Sequence, residues 1–181
     1  KWIRHGGYYP VRILRLWRNG HAICEDRFMD EHMSLTSGLT ADLKNDFVDH
    51  NLQPLTWWIQ KHNWYATKEA AESAWGNART KDANGKPQDQ INETQPVRVR
   101  WFKTLGYENS PLVLRGLLYF LYRYFFRLGF FDGFKGFIFH FMQGLWYRIL
   151  VDVKIIEIRD YAKAHKLSET EAVYRLHGIR L

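Results

Sequence analysis

Cysteine is almost missing. Cys24 stands alone in 181 residues, so no internal disulfide can form, which suits a reducing compartment. The eight histidines show no zinc spacing, and Glu31-His32 is not part of an HExxH pair. There is no phosphate-binding Walker loop, no GxGxxG and no nucleophile elbow, which removes the common nucleotide-hydrolase, dinucleotide and serine-hydrolase signatures. No stretch reaches the about 20 apolar residues that a membrane crossing needs. The longest uncharged run of the aromatic region, 136–147, has 12. Acid is scarce in the second half: residues 1–95 balance 12 Lys/Arg against 12 Asp/Glu, whereas 96–181 carry 14 against 7.

What is abundant is aromatic. Of the 30 Trp, Tyr and Phe, 14 fall within 111–147, in the basic half. Basic plus aromatic points to an anionic surface, either membrane headgroups or nucleic acid. The Phe-rich run 125–141 is too greasy to be mostly solvated on a nucleic acid, so the expectation is a membrane surface and no nucleic acid. With 25% charged and 46% apolar residues, the chain can bury a core. Its opening at Lys1, without an initiator Met, leads to the expectation of a piece of a longer protein.

Patterns along the chain predict a short β-hairpin followed mainly by helices. Residues 11–17 (VRILRLW) read as a strand, Asn19-Gly20 as a tight turn and 21–24 as the return strand. Residues 55–75 read as a helix with Thr56 as N-cap, because Trp57, Trp58, Lys61, Trp64, Tyr65 and Lys68 recur at three- and four-residue spacing. Residues 76–96 hold no aromatic and read as a polar linker. Two apolar helices, 111–128 and 133–158, are split by Gly129-Phe-Phe-Asp132-Gly133, with Asp132 expected to cap the second. Ser168-Glu169-Thr170-Glu171 is a capping box that opens a last short helix. The expected organisation is therefore 1–75, a linker over 76–96, a membrane-associating helical region over 97–158 and a tail over 159–181.

In the first apolar helix Arg115, Tyr119, Arg123 and Arg127 recur at steps of four, with aliphatic and aromatic residues around the rest. This predicts an amphipathic helical hairpin lying in a membrane interface, with Arg115, Arg123, Arg127, Lys135 and Arg148 among lipid phosphates. The plainer alternative is a core helical hairpin whose glycines permit close packing.

Chemistry points to CEDRFMDEH. Glu25, Asp26, Asp30 and Glu31, with Asp42 further on, cluster after the first hairpin. A carboxylate beside a hydroxyl can act as general base, and neighbouring acids raise one another's pKa, although solvated acidic turns are common. His50 is a lone histidine, more ordinary as a hydrogen-bonder than as a ligand. Trp57 and Trp58 could stack on a sugar or simply pack in the core.

Four segments, KWIRHGGYYPVRILRLWRNG, EDRFMDEH, DFVDHNLQPLTWWIQKHNWYA and YRYFFRLGFFDGFKGFIFHFMQGLWYRILVDVKIIE, taken in order over most of 1–158, resemble the C-terminal part of a bacterial family 2 glycosyltransferase of lipopolysaccharide, capsule or exopolysaccharide synthesis. The resemblance implies an α/β, GT-A-type fold, a nucleotide-sugar donor, a lipid-linked saccharide acceptor, a divalent metal (Mg or Mn) and inversion at the anomeric carbon. It also implies a site at the cytoplasmic face of the bacterial inner membrane. It carries the acceptor-deprotonating base to Glu31, with Asp30 as second choice and Glu25-Asp26 matching the acidic pair equally well. It carries a metal ligand to His50 and places His5, Gly6 and Gly7 near the sugars, a vicinity in which Glu25, Asp26 and Trp57 are also expected. The family's donor-binding half, with its Asp-x-Asp motif, lies upstream, and no Asp-x-Asp occurs here; the isolated chain is expected not to turn over. The rival expectation is a non-enzymatic membrane-surface or partner-binding module.

Overall fold

In the computed structural model of the chain, residues 1–24, 33–82 and 111–180 are described. Among them the structure is mostly helical, with one two-stranded antiparallel sheet. The strands are β1 (Ala22–Cys24) and β2 (Met33–Leu35), in the register Ala22 with Leu35, Ile23 with Ser34 and Cys24 with Met33. The tight turn at Asn19-Gly20 does form, with the His21 N–H bonded to the Arg18 carbonyl at 3.0 Å. Residues 11–17 are nevertheless irregular, and the predicted hairpin is replaced by one that pairs 22–24 with a later segment. The segment 11–21 lies instead along the loop 36–47. Arg12 pairs with Asp42 at 3.2 Å, Arg15 sits over Phe47, and His21 Nδ1 lies 2.8 Å from the Ser37 hydroxyl.

The core is made by three helices. Helix α1 (Leu55–Asp82) packs against α4 (Tyr147–His165) and α5 (Glu169–His177). Its buried face is Ala66, Ala70, Ala71 and Ala74, small residues at helical spacing that let the backbones approach closely. Val151, Ile155, Ile158, Ala162, Ala172 and Val173 fill the facing side. Glu69 ties α1 to α4, accepting from the Tyr147 hydroxyl at 2.8 Å and from Arg148 at 2.7 Å. Ser168 caps α5 as the sequence indicated, accepting the Glu171 N–H at 3.1 Å.

Two expectations for α1 change. It begins at Leu55, with Trp58 N–H bonded to the Pro54 carbonyl at 3.1 Å, so Thr56 lies inside it rather than capping it. It also runs through Gly76 to Asp82, shortening the predicted linker at its start. One glycine inside a helix costs about 1 kcal/mol, too little to stop it.

Between α1 and α4 comes the helical hairpin. Its first arm is α2 (Leu114–Leu121) continued by a π turn, Tyr122–Phe126; a 3₁₀ turn, Gly129–Asp132, leads into α3 (Gly133–His140), a second π turn, Phe141–Trp146, and then α4. The predicted split at 129–133 is where the chain turns. α2 packs on the Phe141–Trp146 turn, so the arms run antiparallel. Gly116 and Gly144 stand at this contact; a Cβ at Gly116 would lie 3.2 Å from the Arg148 Cβ.

The hairpin is inside out. Its buried or half-buried positions include polar and small residues, Arg115, Gly116, Tyr119 and Arg123 on one arm and Asp132, Gly136, His140 and Gly144 on the other, beside apolar ones such as Phe120, Phe139 and Leu145. Its exposed stripe is apolar, and 14 large hydrophobic residues between Val113 and Phe141 face outward, Phe126 being 79% exposed and Phe134 76%. Burying one such side chain is worth about 1.5–3 kcal/mol, so this face carries a large unrealised driving force. Arg115 is an internal strut. Its Nε lies 2.8 Å and 3.0 Å from the two oxygens of buried Asp152, which also accepts the Val113 N–H at 2.8 Å.

The alanine face of α1 has no room for growth. Ala70→Leu is expected to destabilise the fold by about 1–3 kcal/mol through overpacking against α4, read as a lower urea midpoint.

Candidate functional site

The site grows from one carboxylate. Asp132 ends the 3₁₀ turn and is 3% exposed, yet its side chain makes no bond to the start of α3, contrary to the predicted cap. It reaches across to the N-terminal loop. Its oxygens accept the Arg4 N–H at 3.2 and 3.3 Å and the His5 N–H at 2.9 Å, and His5 Nδ1 lies 3.2 Å away. Lys1 Nζ donates to the Asp132 carbonyl. Gly136 makes space for the carboxylate, since a Cβ there would come within 2.3 Å of the Asp132 Cβ. Burial works to raise this carboxyl, but the N–H groups of His5 and Arg4 and the His5 ring outweigh it, leaving the pKa below its ordinary 3.8.

Arg123 makes the second tie. Its Nε donates to the Gly6 carbonyl at 2.5 Å, its NH1 donates to the Tyr119 hydroxyl, and its guanidinium lies 3.6 Å from the centre of the Tyr8 ring. The Gly6 N–H completes the loop's docking by donating to the Arg127 carbonyl at 2.9 Å. Tyr8 also meets Phe139 edge-on at 4.8 Å. Burial pushes the Tyr8 hydroxyl up to about 12, with Tyr119 adding to the shift and Arg123 opposing it.

Beneath the loop sits His140, 1% exposed, both ring nitrogens without a hydrogen-bond partner among the described residues. It occupies a slot between two glycines. A Cβ at Gly6 would fall 2.1 Å from its Cε1, and one at Gly129 would fall 2.7 Å from its Nε2. Gly6 also has φ +73°, so any other residue there would meet both strain and collision. Burial, then the Arg123 guanidinium, holds the imidazole below its ordinary 6.5; Asp132 pulls the other way.

The sequence-derived site residues are therefore distributed unevenly. His5, Gly6 and Gly7 come together with Asp132, Arg123 and His140. Glu25, Asp26, Asp30 and Glu31 lie outside the described residues. His50 is exposed, and no group of three His, Cys, Asp or Glu side chains among the described residues is placed to hold an ion. Trp57 is 39% exposed with Lys61 4.9 Å from its ring centre, while Trp58 stacks on His62 at 3.6 Å. Of the residues expected among lipid phosphates, Arg115, Arg123 and Arg148 turn inward to Asp152, Gly6 and Glu69, and Arg127 and Lys135 are exposed. Asp132 and His140 are the residues that sequence reading missed as a pair. Their eight-residue separation, with Gly136 midway, marks one helix face, but which loop that face meets is a contact 127 residues distant.

The Asp132 clamp should be separable from the fold. Asp132→Asn is expected to release the loop, seen as faster amide exchange at Arg4–Gly6 with α4 and α5 unchanged; hydrogen bonds to a charged acceptor are worth about 1.5–3 kcal/mol each. Docking should also respond to acid. His140 binds a proton less readily when docked, so its contribution is complete above its free value of 6.5 and declines as pH falls below it; the Asp132 contribution is lost only below 3.8. Loop protection is expected to weaken from pH 7 to pH 5, and His140→Leu to flatten that dependence. No protein-family profile, curated protein or solved structure matches this chain.

Proposed function

We propose that this chain is the acceptor side of an inverting, GT-A-type glycosyltransferase that moves a sugar from a nucleotide-sugar donor to a lipid-linked saccharide at the cytoplasmic face of the bacterial inner membrane. One observation carries the reading: the His5-Gly6-Gly7 loop, which the family resemblance puts beside the sugars, is clamped by Asp132 and Arg123 onto a hairpin with an apolar outer face. A lipid-linked acceptor requires such a junction, with sugar-handling backbone on one side and a lipid-compatible surface on the other.

The roles follow from the chemistry. Glu31 takes the acceptor hydroxyl proton as that oxygen attacks the anomeric carbon from the face opposite the departing nucleotide, which inverts configuration. Asp30, its neighbour in the sequence, is the second choice for that role. The Gly6-Gly7 turn offers backbone without side chains to a sugar ring. A divalent ion, Mg or Mn, would offset charge on the leaving diphosphate. His50 is the residue to which the resemblance carries a ligand role, and no group of three possible ligands stands with it among the described residues.

The test is sugar transfer by the intact enzyme in native membranes, supplied with radiolabelled UDP- and GDP-hexoses and read as label in the lipid extract. Glu31→Gln is expected to lower transfer by about 10²–10⁴-fold without changing membrane-bound protein. Undiminished transfer in both Glu31→Gln and Asp30→Asn would remove the catalytic assignment.

A further inference from the structure

We infer that the hairpin is embedded in a single leaflet of an anionic phospholipid bilayer, its apolar outer stripe against the acyl chains and its arginine stripe turned away from lipid. This deepens the lipid-linked reading by naming the surface that carries the site, and it rests on different observations.

The first is the inverted polarity. In water a helix pair hides its apolar side and exposes its charges. Here Arg115, Arg123, Asp132 and His140 are inside, and Leu118, Phe125, Phe126, Phe131, Phe134 and Ile138 are outside. Polar groups turned to the interior and apolar groups turned out is the arrangement expected where the surroundings are hydrocarbon.

Length is the second observation. The first arm has eight residues of α2 and five of π turn, about 20 Å at 1.5 Å per residue. That falls short of the about 30 Å hydrocarbon layer, so the arm cannot cross it. No described helix is long and apolar enough to cross a membrane. A hairpin too short to cross, with a single apolar stripe, lies along one leaflet.

Charge is the third. From 111 to 151 the sole acid is Asp132, and it is buried. Arg127 and Lys135, at the turn end of the hairpin, are exposed and have no carboxylate partner among the described residues. Their long stems reach from an apolar surface to phosphates. Cations at the rim of an apolar face match anionic lipid and disfavour burial against a like copy, which would bring the same cations together.

The geometry also fixes a height. The N-terminal loop packs on the polar stripe of the hairpin, and lipid covers the opposite one. The His5-Gly6-Gly7 loop then rides one helix diameter, about 10 Å, above the acyl boundary.

Binding can be read without any sugar donor, so its failure is distinct from failure of the transfer reading. The full chain is floated with vesicles of phosphatidylethanolamine and phosphatidylglycerol, or of phosphatidylcholine, at low salt and at about 0.5 M salt, where exposed charges are screened. The expected result is binding that survives salt, falls at least tenfold in Phe126→Ser/Phe134→Ser, and in Arg127→Gln/Lys135→Gln loses its preference for anionic vesicles while persisting on phosphatidylcholine. In a Cys24→Ser background, a fluorophore on a cysteine at position 138 should be quenched by nitroxides on the acyl chains, and one at position 159 should not. This readout holds even if the serine variants fail to fold. A label at 138 untouched by acyl nitroxides, binding abolished by salt, or a soluble dimer that shields position 138 would each overturn the inference.

Discussion

A single buried carboxylate holds the N-terminal loop to the helical hairpin. Asp132 is enclosed between the 3₁₀ turn and Gly136, where an ion without partners would be intolerable. Its partners are backbone N–H groups of Arg4 and His5, donors with no rotamer freedom to lose, held by a loop whose next residue, Gly6, is bonded at both its N–H and its carbonyl. The Arg123 guanidinium, between the Gly6 carbonyl, the Tyr8 face and the Tyr119 hydroxyl, closes the other side. The arrangement is all or none. Withdrawing the loop would leave the Asp132 carboxylate without its N–H donors and the Arg123 Nε without the Gly6 carbonyl, and docking it satisfies both.

Much of this scaffold was legible in the sequence. The two-armed hairpin and its break at 129–133 follow from apolar composition interrupted by Gly-Phe-Phe-Asp-Gly, and α5 from its capping box, because both are local signals. α1 was found by its aromatic spacing although its packing face is alanine; the tryptophans mark the helix and not the core. The first strand failed for the opposite reason. Residues 11–17 have strand-forming composition and a genuine turn after them, but a strand exists only when paired, and 22–24 takes 33–35 as its partner.

The orientation of the arginine stripe was not legible, and the cause is physical. Periodicity shows that Arg115, Tyr119 and Arg123 share one face, but the sign of that face, inward or outward, depends on partners that the spacing does not contain. Asp152 lies 37 residues from Arg115, and Gly6 lies 117 from Arg123. Asp132 was misread in the same way. An Asp before a helix is ordinarily its cap, and here a stronger set of donors from the chain start takes the carboxylate. Of the residues expected beside the sugars, His5, Gly6 and Gly7 are among the described ones, and the acidic stretch 25–32 falls outside them.

An inside-out hairpin cannot stand by itself. Against the proposed leaflet its apolar face is satisfied, but its polar stripe would then have to face either lipid, which costs several kcal/mol per unsatisfied group, or water, which would pull the arms out of that leaflet. The N-terminal loop, with Asp152 and Glu69 further along, removes that conflict by giving each internal charge a partner. The loop is thus part of what makes the proposed lipid-facing surface possible. The reverse dependence also holds, since the slot for His140 between Gly6 and Gly129 exists only when the arms are closed. The residues proposed to lie beside the sugars and the surface proposed to meet the bilayer are two sides of one cooperative element, and their separation is set by the thickness of a helix.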